Sequence, residues 1–197
     1  VTADDRAAAF LAFITYLRIA LAPIVMALIL LGDRRSWAIP VAATLFAIAA
    51  ITDFFDGRLA RRWKQTSTLG TFLDTTADKL LVSGALIALV EVGQVSAWIA
   101  FIIIGRELLI MGLRGAVTAS DGTVVRPSIW GKLKANVQFI AIFLAIWQPD
   151  VHLGSFRLDQ VAMFLAAVVT ILSATEYLAR FASSLSGSDR RPRSGRV

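Results

Sequence analysis

Cysteine is absent from this 197-residue chain, which excludes disulfides and every thiolate metal site. Histidine occurs once, as His152 in a short polar stretch far from any other candidate ligand, and reads as a solvated loop residue. A small-residue cleavage pattern is missing after the first apolar block, so that block is expected to stay as a full span. Polar surface is scarce too. Hydrophobic residues make up 57% of the chain and the mean hydropathy is +0.70, whereas a soluble domain rarely exceeds about half apolar content.

What is present is long apolar runs, several of them near the ~20 residues that cross a bilayer as helix. Inside hydrocarbon the backbone must satisfy its own hydrogen bonds, so helices are the expected form. The pattern predicts an all-α integral membrane bundle of six transmembrane helices, over Ala9–Leu31, Trp37–Ala60, Gly70–Val92, Ser96–Val117, Leu133–Trp147 and Leu158–Ala182. Residues 1–182 form one transmembrane domain, and 183–197, rich in Ser, Gly and Arg, a disordered basic tail. Ahead of the first span, Thr2–Ala8 is either a short interfacial helix or a frayed end.

The net charge of +6 fits nucleic acid or a membrane surface. Basic residues cluster between and after the apolar blocks, which favours anionic headgroups and argues against nucleic acid. Arg6, the Arg58–Lys64 cluster, Arg114, Arg126, Lys132, Lys134, Arg180 and the tail arginines fall on one side, and only Arg34, Arg35 and Arg157 on the other. By the positive-inside rule both termini are cytoplasmic, in a multi-pass protein of the cell membrane.

The chemistry gathers in Asp53-Phe-Phe-Asp56-Gly57-Arg-Leu-Ala60-Arg61, followed eight residues later by Gly70-Thr-Phe-Leu-Asp74-Thr-Thr-Ala-Asp78. On a helix Asp53 and Asp56 share a face, as do Asp74 and Asp78. The first pair ends the second span and the second pair opens the third. An antiparallel hairpin would bring all four carboxylates to one depth, facing each other at the cytoplasmic side. An aspartate deep in a membrane helix costs about 2.5–3.5 kcal/mol, so four without compensation are implausible. Gly57, Ala60, Ala50 and Ala49 occupy positions one turn away from the first pair, and Asp78, a like charge, stands one turn after Asp74, so all four carboxylates are expected to lack intrahelical cations. Two divalent cations would supply the missing charge, and all-oxygen ligation points to Mg²⁺ or Mn²⁺. Paired cations suit a phosphoryl displacement, and Gly57 and Ala60 would let a diphosphate approach the backbone.

The segment resembles the motif of the CDP-alcohol phosphotransferase family, D-x2-D-G-x2-A-R-x8-G-x3-D-x3-D, at every fixed position. The resemblance implies a six-helix fold and transfer of a phosphoalcohol from a CDP-linked donor to an acceptor hydroxyl, with release of CMP. It further implies that Asp53, Asp56 and Asp74 hold the metals, and that Asp78 is the base and touches a metal as well. Asp53, Asp56, Gly57, Ala60, Arg61, Gly70 and Thr15 would contact the CDP donor, and two copies of the chain would pair.

Arg106-Glu107 lies within the fourth span, Arg114 stands eight residues on, and Gly131-Lys132-Leu-Lys134 opens the fifth. Arg106 and Arg114 fall roughly on one helix face. Convergent cations beside a carboxylate site suit an acceptor that carries its own phosphate, so Arg106, Arg114, Lys132 and Lys134 are its expected ligands. An Arg106–Glu107 pair within the helix is not expected, because adjacent residues do not face each other. Arg18 either faces the cavity or reaches for headgroups. Ile104–Arg114, Gly131–Gln138 and Thr15–Arg18 resemble the phosphatidylglycerophosphate synthase branch of the family, with departures at Thr75 and Met111. That branch implies attack by glycerol 3-phosphate on CDP-diacylglycerol. A sister synthase using inositol phosphate, or phosphatidylglycerol to make cardiolipin, would keep the four aspartates; an ion-conducting transporter would spread its acids across the bilayer.

Overall fold

In the computed structural model the described residues form six long helices: α1 (Ala3–Leu30), α2 (Ala38–Trp63), α3 (Thr68–Glu91), α4 (Ala97–Asp121), α5 (Ile129–Trp147) and α6 (Leu158–Ser188). The structure describes the backbone of residues 3–63, 68–121 and 129–188, and within it the side chains of residues 12–52, 73, 75–116 and 133–179. Each helix overlaps one of the six apolar runs. α1 begins at Ala3, so the segment ahead of the first span is continuous with it, and α6 continues to Ser188, beyond the run that defines the sixth span. Residues 189–197, the remainder of the expected tail, lie outside the described residues.

Helix ends follow local chemistry. At the end of α3, Gly93 takes φ +71°, Gln94 N–H donates to the Leu89 carbonyl at 2.9 Å and Gly93 N–H to Val90 at 3.0 Å. This αL stop uses carbonyls that the helix leaves unpaired, and glycine adopts it without a Cβ penalty. His152 is exposed, in an antiparallel hairpin of two-residue strands, His152–Leu153 (β1) with Phe156–Arg157 (β2), the one pair of strands among the described residues. In the first turn of α6, Asp159 is buried and accepts from Arg157 Nε at 3.0 Å, placing negative charge at a helix N-terminus.

The distribution of apolar side chains is that of a membrane protein. Phe13, Trp98, Phe101 and Phe164 stand outward with more than half their surface exposed, whereas the interior is rich in alanine: Ala38, Ala42, Ala43, Ala85, Ala88, Ala141 and Ala145 among others. Lipid removes the drive to bury large apolar groups, so small residues between helices and large ones outside is the economical arrangement. Two helices contain described stretches long and apolar enough to cross a membrane, Ala12–Leu30 and Leu158–Ala179, and Ala38–Thr52 and Leu133–Trp147 are shorter apolar stretches.

Among the described residues α1 packs extensively on both α2 and α3, α5 on α6 and α2, and α4 on α6. The two helices of the aspartate motif therefore make their principal contacts with α1, not with each other along their length as a simple hairpin would. Gly84 explains the α1–α3 approach: a Cβ added there would sit 3.7 Å from the Ala22 carbonyl oxygen. Gly84→Ala should hold or raise the thermal midpoint in detergent. Gly84→Leu should lower it by the equivalent of about 1–3 kcal/mol, by forcing the helices apart.

Candidate active site

The charged residues of the spans meet across α3, α4, α5 and α6. Asp78 and Lys79 come from α3, Arg106, Glu107 and Arg114 from α4, Lys134 and Gln138 from α5, and Ser173, Glu176 and Tyr177 from α6. Arg18 on α1 is 2% exposed, so it belongs to the interior and does not reach for headgroups.

Lys79 Nζ lies 2.7 Å from Asp78 Oδ2 and 2.8 Å from Glu107 Oε2. The other oxygen of Glu107 accepts from Lys134 Nζ, and Arg106 Nη1 stands 3.4 Å from it. Arg106 Nη2 donates to Ser173 Oγ at 2.7 Å. Eight residues along α4, the Arg114 guanidinium lies over the Tyr177 ring, 5.4 Å from its centroid. Arg106 and Arg114 thus do share a face, and Ser173 and Tyr177, one turn apart on α6, receive them. Glu107, Lys134, Gln138 and Ser173 are all buried.

Two expectations are corrected. Asp78 does have a cation on its own helix, the adjacent Lys79, and Arg106 does reach Glu107. The rule that neighbours along a helix diverge describes their Cβ directions. Long side chains bend back when a shared buried counter-charge lies to one side, and here Lys134 supplies that focus from α5. Lys134 itself meets the site already paired. Glu107, Lys79 and Ser173 are members that reasoning from the aspartate motif does not single out. The signal was available: a lone lysine and a lone glutamate inside apolar spans each need a buried partner, and each is the other's.

Asp53 and Asp56 lie on α2 and Asp74 on α3; their side chains, with those of Gly57, Ala60, Arg61, Gly70 and Lys132, lie outside the described residues. Thr15 is half-buried on α1, one turn before Arg18. Among the described residues no three acids or histidines cluster as a metal site. Asp78 is nonetheless informative. Its Oδ2 is held by Lys79, while its Oδ1 is buried and has no hydrogen-bond partner among the described residues. A bare buried carboxylate oxygen costs about 1–3 kcal/mol, more when charged, unless a cation or a proton donor meets it. A divalent ion beside Asp78, or a hydroxyl about to lose its proton, fits that vacancy in its hydrogen bonding.

The profile of the CDP-alcohol phosphatidyltransferase family matches residues 11–172, which takes in α2 to α5 whole, most of α1 and about half of α6. The chain belongs to that family. Its relatives include the CDP-diacylglycerol–glycerol-3-phosphate 3-phosphatidyltransferase of Bacillus subtilis (strain 168), 40% identical over 181 residues, covering 85% of this chain and 92% of the relative. The protein of the same name from Haemophilus influenzae is 36% identical, covering 84% and 89%. That from Yersinia pestis (strain Pestoides F) is 42% identical over 148 residues, covering 72% and 79%.

The Arg106–Ser173 contact yields a check on the site's packing. Ser173→Ala leaves a buried guanidinium nitrogen without its acceptor and should cost about 1.5–3 kcal/mol, the range for hydrogen bonds to charged groups. Ser173→Thr keeps the hydroxyl. Thermal unfolding in detergent should therefore show a lowered midpoint for alanine and a near-parental one for threonine.

Proposed function

We propose that this protein transfers the phosphatidyl group of CDP-diacylglycerol to the primary hydroxyl of sn-glycerol 3-phosphate, giving phosphatidylglycerol phosphate and CMP in phospholipid biosynthesis. The observation that carries the reading is the bare buried Oδ1 of Asp78, the last aspartate of the family motif, set beside a cluster of buried and half-buried cations. Family membership supports the reaction class. The named activity of relatives at 36–42% identity, over most of both chains, supports this donor and acceptor.

Asp53, Asp56 and Asp74, together with Asp78, would hold two divalent cations, Mg²⁺ or Mn²⁺. When bound, those ions offset the charge of the donor's diphosphate. Gly57, Ala60, Arg61, Gly70 and Thr15 receive the cytidine diphosphate. Asp78 Oδ1 takes the proton of the acceptor hydroxyl as its oxygen bonds to the β-phosphorus. The bond from that phosphorus to the bridging oxygen breaks, and CMP leaves with the electron pair. Arg106, Arg114, Lys132 and Lys134 hold the acceptor's phosphate, so that its distant hydroxyl rests near Asp78, a positioning contribution to rate.

The membrane arrangement is part of the same reading: six spans, both termini and the active site on the cytoplasmic side of the cell membrane, a basic tail after the transmembrane domain, and a homodimer. The lysine and arginine bias of the connecting segments supports it. A donor with two acyl chains can then keep its tails in lipid while its diphosphate meets the site.

An acceptor panel at saturating CDP-diacylglycerol, scored by CMP release, tests the assignment. Glycerol 3-phosphate should exceed glycerol, inositol phosphate and phosphatidylglycerol; preference for any of these would discard it. Arg114→Gln should raise the acceptor KM far more than the donor KM, with lysine rescuing only partly, since it lacks the planar fork. Unchanged acceptor kinetics would return Arg114 to a purely structural role against Tyr177. Asp78→Asn should abolish turnover yet still bind donor, whereas Asp53→Asn should weaken donor binding too.

A further inference from the structure

The charged cluster contains an acid that the proposed chemistry does not use. Glu107 is outside the aspartate motif and is no ligand for an anionic acceptor, yet it is 5% exposed and central. Its Oε2 meets Lys79 from α3 at 2.8 Å, and its Oε1 accepts from Lys134 of α5. Lys79 in turn meets Asp78 Oδ2 at 2.7 Å. A continuous chain of charges, Asp78–Lys79–Glu107–Lys134, therefore crosses three helices and joins the base to one of the cations assigned to the acceptor.

A staple holding the helices together is the simpler account, but the energetics disfavour it. Buried ion pairs add little net stability, and well-packed apolar residues of similar volume often do as well or better. What apolar residues cannot do is fix an ammonium group. A lysine is a flexible stem with three rotatable donors, and holding it in one place opposes its side-chain entropy. Freed, both lysines would be long enough to turn toward other carboxylates nearby. With Oε2 holding Lys79, Asp78 is engaged at Oδ2 only, and Oδ1 keeps its open position.

We propose that Glu107 is a positioning residue for the transfer. It orients Asp78 through Lys79 and presents Lys134 to the acceptor phosphate, so base and acceptor are registered against one carboxylate. The inference rests on the roles proposed above for Asp78 and Lys134.

Steady-state kinetics of the purified full chain in mixed micelles, with donor and acceptor varied separately, test it. Glu107→Gln keeps shape and loses charge; kcat should fall about tenfold or more and acceptor KM rise several-fold, with donor KM little changed. Glu107→Asp keeps charge but is a methylene short of holding both lysines, and should recover part of kcat. In Glu107→Gln/Lys134→Gln, acceptor KM should rise no further than in Lys134→Gln alone, because the two share one path. Parental kcat and acceptor KM in Glu107→Gln overturn the proposal. So do equal losses toward both substrates with Asp no better than Gln, the pattern of a staple. If Glu107→Gln does not fold, Glu107→Asp carries the test alone, and parental kinetics there overturn the proposal. A parent enzyme that prefers another acceptor alcohol overturns the proposed function, and the Glu107 variants are then compared with that alcohol.

Discussion

A charge taken into an apolar helix bundle must find its opposite there, and most of this molecule's functional architecture follows from that requirement. The desolvation of one carboxylate or ammonium costs several kcal/mol after relaxation, so an unpaired charge would expel itself or unfold its surroundings. Glu107 meets the requirement for Lys79 and Lys134 together, and its own burial is offset by both. The helices α3, α4 and α5 are thereby tied together through one carboxylate. Asp78, next to Lys79, inherits its orientation from the same contact.

The small residues of the interior make this network reachable. Alanines along α2, α3 and α5, and Gly84 against the Ala22 carbonyl of α1, let the helices approach closely enough for side chains from different helices to meet. The large apolar residues left outside, such as Trp98 and Phe101, face the hydrocarbon expected around the bundle. Small-residue contacts bring the helices together, and the charged side chains of α3, α4, α5 and α6 meet where that approach allows it.

Much of the fold was legible in the sequence because the hydropathy signal is strong and its interruptions are chemical. The run ending at Trp147 and the next beginning at Leu158 match α5 and α6 at those ends, with the polar stretch between them forming the small hairpin around Gly154. The candidate site was legible only where a linear motif exists. Asp53, Asp56, Asp74 and Asp78 announce themselves by spacing within two consecutive helices. Lys79, Glu107, Lys134 and Ser173 do not, since their relation depends on which helices become neighbours, and apolar periodicity leaves that open. The same gap explains why α2 and α3, adjacent in sequence, make their principal described contacts with α1. It also explains the Arg106–Glu107 contact, where a shared partner on another helix overrides the local divergence of neighbouring side chains.

The central claim is that the aspartate motif acts through divalent cations held beside Asp78. Its most direct test is the metal dependence of CMP release from CDP-diacylglycerol by the purified protein. Chelation with EDTA should abolish release in the presence of glycerol 3-phosphate, and Mg²⁺ or Mn²⁺ added in excess should restore it. Full activity sustained in EDTA would contradict the account.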